Sequence, residues 1–417
     1  GNADYRTDDY QSFNGFYSNL SNYNFLETSS AKDPALANFA AISKIMKVYD
    51  FQALVDNYGN VPYTDAFQAP VVLSPKYDKA EAIYDDLLKQ LDASITMIKA
   101  SASATNPGSS DIVFQGNMDN WKKFANTLKL RIAIRQSNLS AKQAALKSAV
   151  NATLAEGYLD ENVQAAANPG YSNSDANGGQ ESPFWRINGF DQNGNATSNN
   201  AYYRANAYAV NKLKSFNDPR VDRFYLVIPN GQFAGQIRGN VFGDLNSLQN
   251  ANTSAFGPGL LKSAGMDAIL LSSSEALFLQ AEAANSGMIP GSAQTFYEKG
   301  ITASFVATGV ANAATAAVAY YTQDMANVSW ASSTNKQQAI VTQKWFALNG
   351  YSNLEAYNEY RRTGFPNDIP RSVASGALGT TQPFRILYPT SEYQTNAANV
   401  KAEGTVDRFA TKIFWAK

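Results

Sequence analysis

Residues 343–366 read QKWFALNGYSNLEAYNEYRRTGFP. Trp345 and Phe346 sit in an apolar run of helical spacing, Tyr351, Tyr357 and Tyr360 follow, and the run ends at Gly364 and Pro366, residue types that stop helices. The pattern predicts a helix over about 335–362. Two arginines, Arg361 and Arg362, stand side by side at its end in a chain of which only 17% is charged. They serve either a site or a joint, and the rest of the chain decides which.

Working outward, other segments carry the same period. A helix over about 33–58 has Asp33 as its cap, Pro34 in its first turn, and Gly59 with Pro62 at its end. Ile42, Ile45, Met46, Tyr49 and Ala53 share one of its faces. Asp78 and Glu81 have the spacing of a capping box, ahead of a stripe of Ile83, Leu87, Leu91, Ile95 and Ile98. A third helix, WKKFANTLKLRIAIR (121–135), carries Trp121, Phe124, Ala125, Leu128 and Ile132. Over about 270–305 a helix pair fits tetratricopeptide spacing: Ala281, Ala293 and Gly300 stand where helices approach closely, and Leu277 and Tyr297 at two large positions. Half of that pattern recurs at Ala80 and Tyr84. Residues 168–205 differ, being rich in Asn, Gly and Ser yet studded with aromatics, a texture of turns and irregular loops. The tail after 366 is similar. A helical frame carrying a loop-built lobe is expected.

Composition removes whole classes of chemistry. The chain has 417 residues, no cysteine and no histidine. Disulfides, thiolate zinc sites, Ser-His-Asp triads and Cys-His pairs are therefore impossible. A formal net charge of −1 with no block of like charges argues against nucleic acid as partner. No apolar run reaches the roughly 18 residues that cross a bilayer. GPGLLK (257–262) lacks the glycine and Lys-Ser/Thr of a phosphate loop. No metal and no cofactor is expected. The opening Gly-Asn-Ala-Asp, without an initiator methionine, reads as a start from which a targeting segment has been trimmed.

Several stretches converge on one family. DNYGNVPYTDAFQ (56–68), PKYDKAEAIYDDLLKQL (75–91), WKKFANTLKLRIAIR (121–135), NDPRV (217–221), SSEALFLQAEAA (273–284), the segment opening at Gln343, YPTSEYQTNAANV (388–400) and KIFW (412–415) follow in order over nearly the whole chain. In these the sequence resembles the SusD/RagB outer-membrane nutrient-binding lipoproteins of Bacteroidetes, in particular the SusD-like subgroup. The resemblance implies an all-α fold: a tetratricopeptide-like right-handed α superhelix with a large irregular, loop-rich lobe. It implies one domain over 1–417, with the helical frame over about 33–160, 265–310 and 335–362 and the ligand lobe over about 165–262 and 366–417. It further implies a signal peptide, a lipid anchor on an N-terminal cysteine that is absent here, a SusC-like TonB-dependent transporter as partner, and capture of oligosaccharides or polysaccharides at the cell surface.

Arg361 and Arg362 then belong to the framework. Glu282, between Ala281 and Ala283 on a helix of buried residues, needs a partner, and arginine's planar fork suits a carboxylate best. Glu275 or Glu282 is expected to pair with Arg361 or Arg362; the alternative is a solvated pair satisfied by Glu359, one turn away. Trp121, Trp345 and Trp415 are expected in the core, and Trp330 ahead of the QKW helix. Trp185 lies in the polar loop beside Phe184 and Arg186, where no amphipathic period demands it. A sugar ring stacks its C–H face on an aromatic plate and offers hydroxyls to amides and carboxylates. Tyr171, Phe184, Trp185, Tyr202 and Tyr203, with Asn173, Asp175, Asn177 and Gln180, supply that mixture and are the candidate ligand residues; the alternative is that these aromatics pin the loop to the frame. NSDANG (173–178) mimics the start of a calcium loop but has Phe184 where the closing acid belongs, so turns are the better reading. Near-zero net charge tilts toward a neutral ligand. Two other functions stay open: a protein–protein scaffold of the transporter complex binding a non-glycan nutrient, and a glycoside hydrolase using acids such as Asp175, Glu181 and Asp191.

Overall fold

The structure, a computed structural model, describes residues 5–237, 249–374, 377–379 and 381–417. Helices dominate it, and they pair in chain order. α1 (Phe13–Ser30), α2 (Ala37–Tyr58), α3 (Ala80–Ala100), α4 (Met118–Arg135) and α5 (Gln143–Ala152) each pack against the next. After a stretch of short elements, α6 (Pro183–Asn188), α7 (Ser198–Tyr202), α8 (Ala207–Ser215) and α9 (Val221–Phe224), a second helical stack follows. It consists of α10 (Ser273–Asn285), α11 (Ala293–Thr308), α12 (Ala313–Tyr321), α13 (Lys336–Leu348) and α14 (Asn353–Thr363), and α4 against α10 joins the two stacks. Two short helices, α15 (Thr390–Thr395) and α16 (Ala397–Ala402), lie in the tail. Among the described residues strand is confined to two antiparallel ribbons, β1 (Val61–Pro62) with β2 (Tyr77–Asp78) and β3 (Ala165–Ala167) with β4 (Ala268–Leu271).

α2 is buried on nearly every side, from Ala40 and Ile45 to Phe51, Leu54 and Tyr58, because α1, α3 and α4 surround it. The tetratricopeptide spacing has a physical cause at Gly300: a Cβ there would lie 2.9 Å from the Phe278 ring, so only glycine lets α11 approach α10 this closely. Ser272 caps α10 by accepting the Glu275 N–H at 3.1 Å. Trp121 and Trp415 are fully buried, and Trp330 packs on Tyr297 with ring centroids 5.4 Å apart.

Some boundaries differ from the reading of the sequence. α1 was not expected, because FNGFYSNLSNYNFLETSS is rich in Asn and Ser and buries little beyond Phe13 and Leu20. Tertiary contacts hold it: the Tyr58 hydroxyl accepts the backbone N–H of Ser12 at 3.0 Å and of Phe13 at 3.1 Å. Asp33 accepts the Ala35 N–H at 2.9 Å but caps a single 3₁₀ turn (Pro34–Leu36) ahead of α2. Asp78 and Glu81 form no capping box. Asp78 is instead in β2, and its carboxylate accepts the backbone N–H groups of Tyr63 and Thr64 at 3.0 and 2.9 Å. The helix expected over 335–362 is two, broken at Asn349–Ser352, where Gly350 takes a φ of +76°.

Beneath α14 lies a buried ionic seam. Arg362 clasps Glu282 with two bonds of 2.8 and 2.7 Å and also pairs with Glu359. Arg135 reaches Glu355, Glu359 (3.1 Å) and Asp56 (3.4 Å), and Lys344 adds a bond to Glu359 at 3.1 Å. Glu275 does not meet either of the adjacent arginines; its partner is Arg131 on α4, at 3.4 Å. Arg361 turns the other way and pairs with no carboxylate among the described residues. It donates to the carbonyls of Phe384 (2.7 Å) and Asp56 (2.6 Å) and to the Asn358 side chain. Burial disfavours the ionised form of Glu355, but Arg135, Arg131 and Lys344 outweigh it and hold the carboxyl at about 2. Asp56 is pushed up to about 6 by burial in spite of Arg135.

Candidate functional site

α14 has two faces with different work. Glu355, Glu359 and Arg362, spaced by one turn, point into the ionic seam. Asn353, Tyr357 and Tyr360, at the same spacing on the other side, line a cavity of about 590 Å³. The break at Gly350 builds one wall. A Cβ at that position would come within 2.6 Å of Leu260, which also lines the cavity, so the chain can turn there only as glycine.

The lining is aromatic. Trp345 comes from α13 and Tyr208 from α8, with ring centroids 5.7 Å apart and planes at 73°. Tyr225 follows α9, Phe256 belongs to the lobe, and Tyr203 stands at the edge, 49% exposed. The rings are held by their polar ends. Tyr208 donates to Asp368 at 2.7 Å, and Lys212 pairs with the same carboxylate at 2.5 Å. Burial and that hydrogen bond raise the Tyr208 phenol above its ordinary value, so it stays a neutral donor. Tyr225 accepts the Asn349 amide at 3.1 Å, and Tyr357 donates to the Pro383 carbonyl. The Arg361 guanidinium lies 4.2 Å from the centroid of the Tyr357 ring. The adjacent arginines thus divide their roles, one closing the seam and one backing a ring of the cavity.

Polar groups are interspersed. Asn206, Asn349, Asn353, Gln382 and Arg204 contribute amides and a guanidinium, while Asp9 is the one acid among the described lining residues. Asp9 accepts the Arg6 N–H at 2.7 Å. Among the described residues no group of three or more acidic side chains is placed to hold a metal ion. A second cavity of about 460 Å³ lies between the start of α10 and α11 and is lined by serines, Lys262, Lys299 and Tyr351.

Of the residues singled out in 171–203, Tyr203 lines the large cavity and the others do not. Phe184 stands behind it, packed edge-on against Phe256 with centroids 6.0 Å apart. Tyr202 is 72% exposed and meets Tyr203 edge-on. Trp185 is half-buried on α6 against Phe190, and its indole N–H is enclosed without an acceptor among the described residues. Tyr171 is half-buried, and Asn173, Asp175, Asn177 and Gln180 are exposed around a tight turn in which Asn177 has φ 54°. Trp345, expected in the core, is only half-buried because its ring faces the cavity. The spacing of Asn353, Tyr357 and Tyr360 was a signal in the sequence for this wall; nothing local pointed to Tyr225 or Phe256, which reach it through the fold.

A family model described as starch-binding, associating with the outer membrane, and called SusD-like, matches residues 2–389. Among solved structures, the chain is similar to a chitin-binding protein at 27% identity, covering 97% of this chain and 87% of that one with a TM-score of 0.76. A SusD homologue from Bacteroides uniformis is 25% identical over 96% of this chain and 85% of its own, TM-score 0.76. A chitin-binding SusD homologue from Flavobacterium johnsoniae, at 24% identity, covers 100% of this chain and 89% of its own with a TM-score of 0.80, a likeness of fold. No curated protein sequence matches the chain.

Proposed function

The chain belongs to the SusD-like family, and from that membership we propose that it is a cell-surface glycan-binding protein that captures oligosaccharides and hands them uncut to a SusC-like, TonB-dependent transporter of the outer membrane. An N-terminal lipid anchor would hold it at the membrane. The observation that carries the reading is the cavity bounded by Trp345, Tyr208, Tyr203 and Tyr357. Aromatic plates offer the apolar faces of sugar rings a surface, and Asn206, Asn349 and Asn353 beside them offer donors and acceptors to hydroxyls. The volume of about 590 Å³ suits a few sugar units.

Binding without cleavage is the better account of this geometry. Glycoside hydrolysis uses two carboxyl groups across the bond, about 5–5.5 Å or 6.5–9.5 Å apart. Asp9 is alone in the described lining, and Asp175, Glu181 and Asp191 lie outside it. The exposed amides of 171–180 with Trp185 form a second face that we propose flanks the cavity and extends the contact along a longer chain.

The relative called a chitin-binding protein puts N-acetylglucosamine oligomers first in the test. Calorimetric titration against soluble chito-, malto- and xylo-oligosaccharides, with product length checked afterwards, is expected to show binding of one class and no shortening. Shortened products would overturn the non-catalytic reading. Silence toward every sugar would overturn glycan capture.

A further inference from the structure

We propose that Arg204 is a specificity-determining residue of the cavity, reading a planar C=O acceptor on the bound sugar: the acetamido carbonyl of an amino sugar or the carboxylate of a uronic acid. The inference rests on the glycan reading above and adds which substituent the site selects.

Arg204 lines the cavity next to Tyr203. Its Nε–H is shut off from solvent and has no acceptor, and no hydrogen bond or ion pair reaches the rest of the side chain among the described residues. The other enclosed arginines are served. Arg220 engages Asp218, Ser304 and Gln343, Arg362 holds Glu282 and Glu359, and Arg361, though its Nε is unpaired, donates from both terminal nitrogens. An arginine half-buried and unpartnered costs desolvation with nothing in return from the protein. Burial also draws its pKa below the ordinary arginine value, the same desolvation seen from another side.

The residue is not a loose surface side chain. Ala205 behind it donates to the Ser254 carbonyl at 2.9 Å and accepts from the Gln236 N–H at 2.8 Å. Asn206 then caps α8, accepting the Tyr208 N–H at 2.9 Å. The backbone that carries the guanidinium is fixed on both sides of Arg204's peptide neighbour Ala205, so the base of the side chain is held at the cavity edge.

The chemistry of the partner follows from the donor. A guanidinium is a planar fork of N–H donors with no acceptor, matched to an sp² oxygen that can take two of its donors, whereas a sugar hydroxyl uses it only as an acceptor and must place its own proton elsewhere. Arg6 and Arg385 line the same cavity against Asp9, the one acid among its described lining residues. That balance accepts either a partial negative charge, as on an amide carbonyl, or a full one, as on a carboxylate.

The test is calorimetric titration of the whole chain and of Arg204→Ala and Arg204→Lys with three soluble oligomers of equal length: cellotetraose, chitotetraose and tetragalacturonate. The intact chain is expected to bind one of the two substituted sugars at least tenfold tighter than cellotetraose. Arg204→Ala is expected to erase that preference, bringing the substituted sugar down to within about threefold of cellotetraose, with the fold intact by circular dichroism. If the substituent is a carboxylate, added salt weakens binding and Arg204→Lys recovers part of it; if it is an acetamido group, salt has little effect and lysine recovers little. Cellotetraose binding as tightly as the others, or Arg204→Ala leaving all three affinities unmoved, would overturn the role of Arg204 and leave glycan capture standing. Failure of all three to bind an intact chain that binds malto- or xylo-oligosaccharides would overturn the role of Arg204 alone, and silence toward those as well would overturn both.

Discussion

Asp50 is 3% exposed on α2, and the side chain that meets its carboxylate is Asn19, whose amide donates at 2.8 Å. Burial pushes the group up to about 7, against the smaller downward pull of that hydrogen bond. A carboxyl whose pKa is higher in the folded chain than in the unfolded one stabilises the fold while protonated, and the contribution is lost as pH rises through the folded value. Asp50→Asn removes the charge and keeps a polar group for Asn19. It is expected to leave stability nearly unchanged near pH 3, below the unfolded carboxyl value, and to raise it by on the order of 4 kcal/mol near pH 8, read from urea unfolding at the two pH values. Equal effects at both would show that the carboxyl does not change ionisation in this range. Glu355 behaves oppositely, because Arg135, Arg131 and Lys344 overcome its burial and hold it at about 2, so its contribution persists until strong acid.

At the scale of elements, α14 is the part on which both structure and site depend. Its inward face carries Glu355, Glu359 and Arg362, and its outward face Asn353, Tyr357 and Tyr360. Arg362 spans to Glu282 on α10, tying the first and last helices of the second stack. Removing it leaves two buried carboxylates short of a partner, so Arg362→Ala is expected to cost about 3–5 kcal/mol in unfolding free energy. A loss below about 1 kcal/mol would mean the seam behaves as a solvated pair. That the two arginines serve a framework was legible in the sequence, because Glu282 sits in a run of small apolar residues. That they part company was not: Arg361 finds its acceptors on Asp56 and Phe384, far away in the chain. The break at Gly350 was written in NGYSN, but continuous helical spacing on both sides hid it. α1 was hidden for the opposite reason, since its own residues favour helix weakly and α2 supplies the contacts.

For the molecule as a whole, helical period and small-residue spacing were enough to anticipate a helical frame with an irregular lobe, because those signals are local. The cavity is not local. It is closed by residues from the N-terminal segment, α8, the lobe, α13, α14 and the stretch after 366, and among the described lining residues the loop of 168–205 that composition singled out contributes its last three, Tyr203, Arg204 and Ala205. Trp345 is the clearest case. Its neighbours from Ala339 to Leu348 are nearly all buried, so no periodicity separates the one residue whose ring faces outward. We propose that the chain acts as one unit, with the frame holding the cavity's rings in place and the loop around Trp185 extending them.

The measurement that tests this account most directly is calorimetric titration of the best-binding oligosaccharide into Trp345→Ala beside Trp185→Ala. The account predicts that Trp345→Ala weakens binding at least tenfold, about 1.4 kcal/mol, with the fold intact by circular dichroism, and that Trp185→Ala has the smaller effect. Full affinity in Trp345→Ala, with loss in Trp185→Ala, would contradict it and place the glycan on the loop outside the cavity.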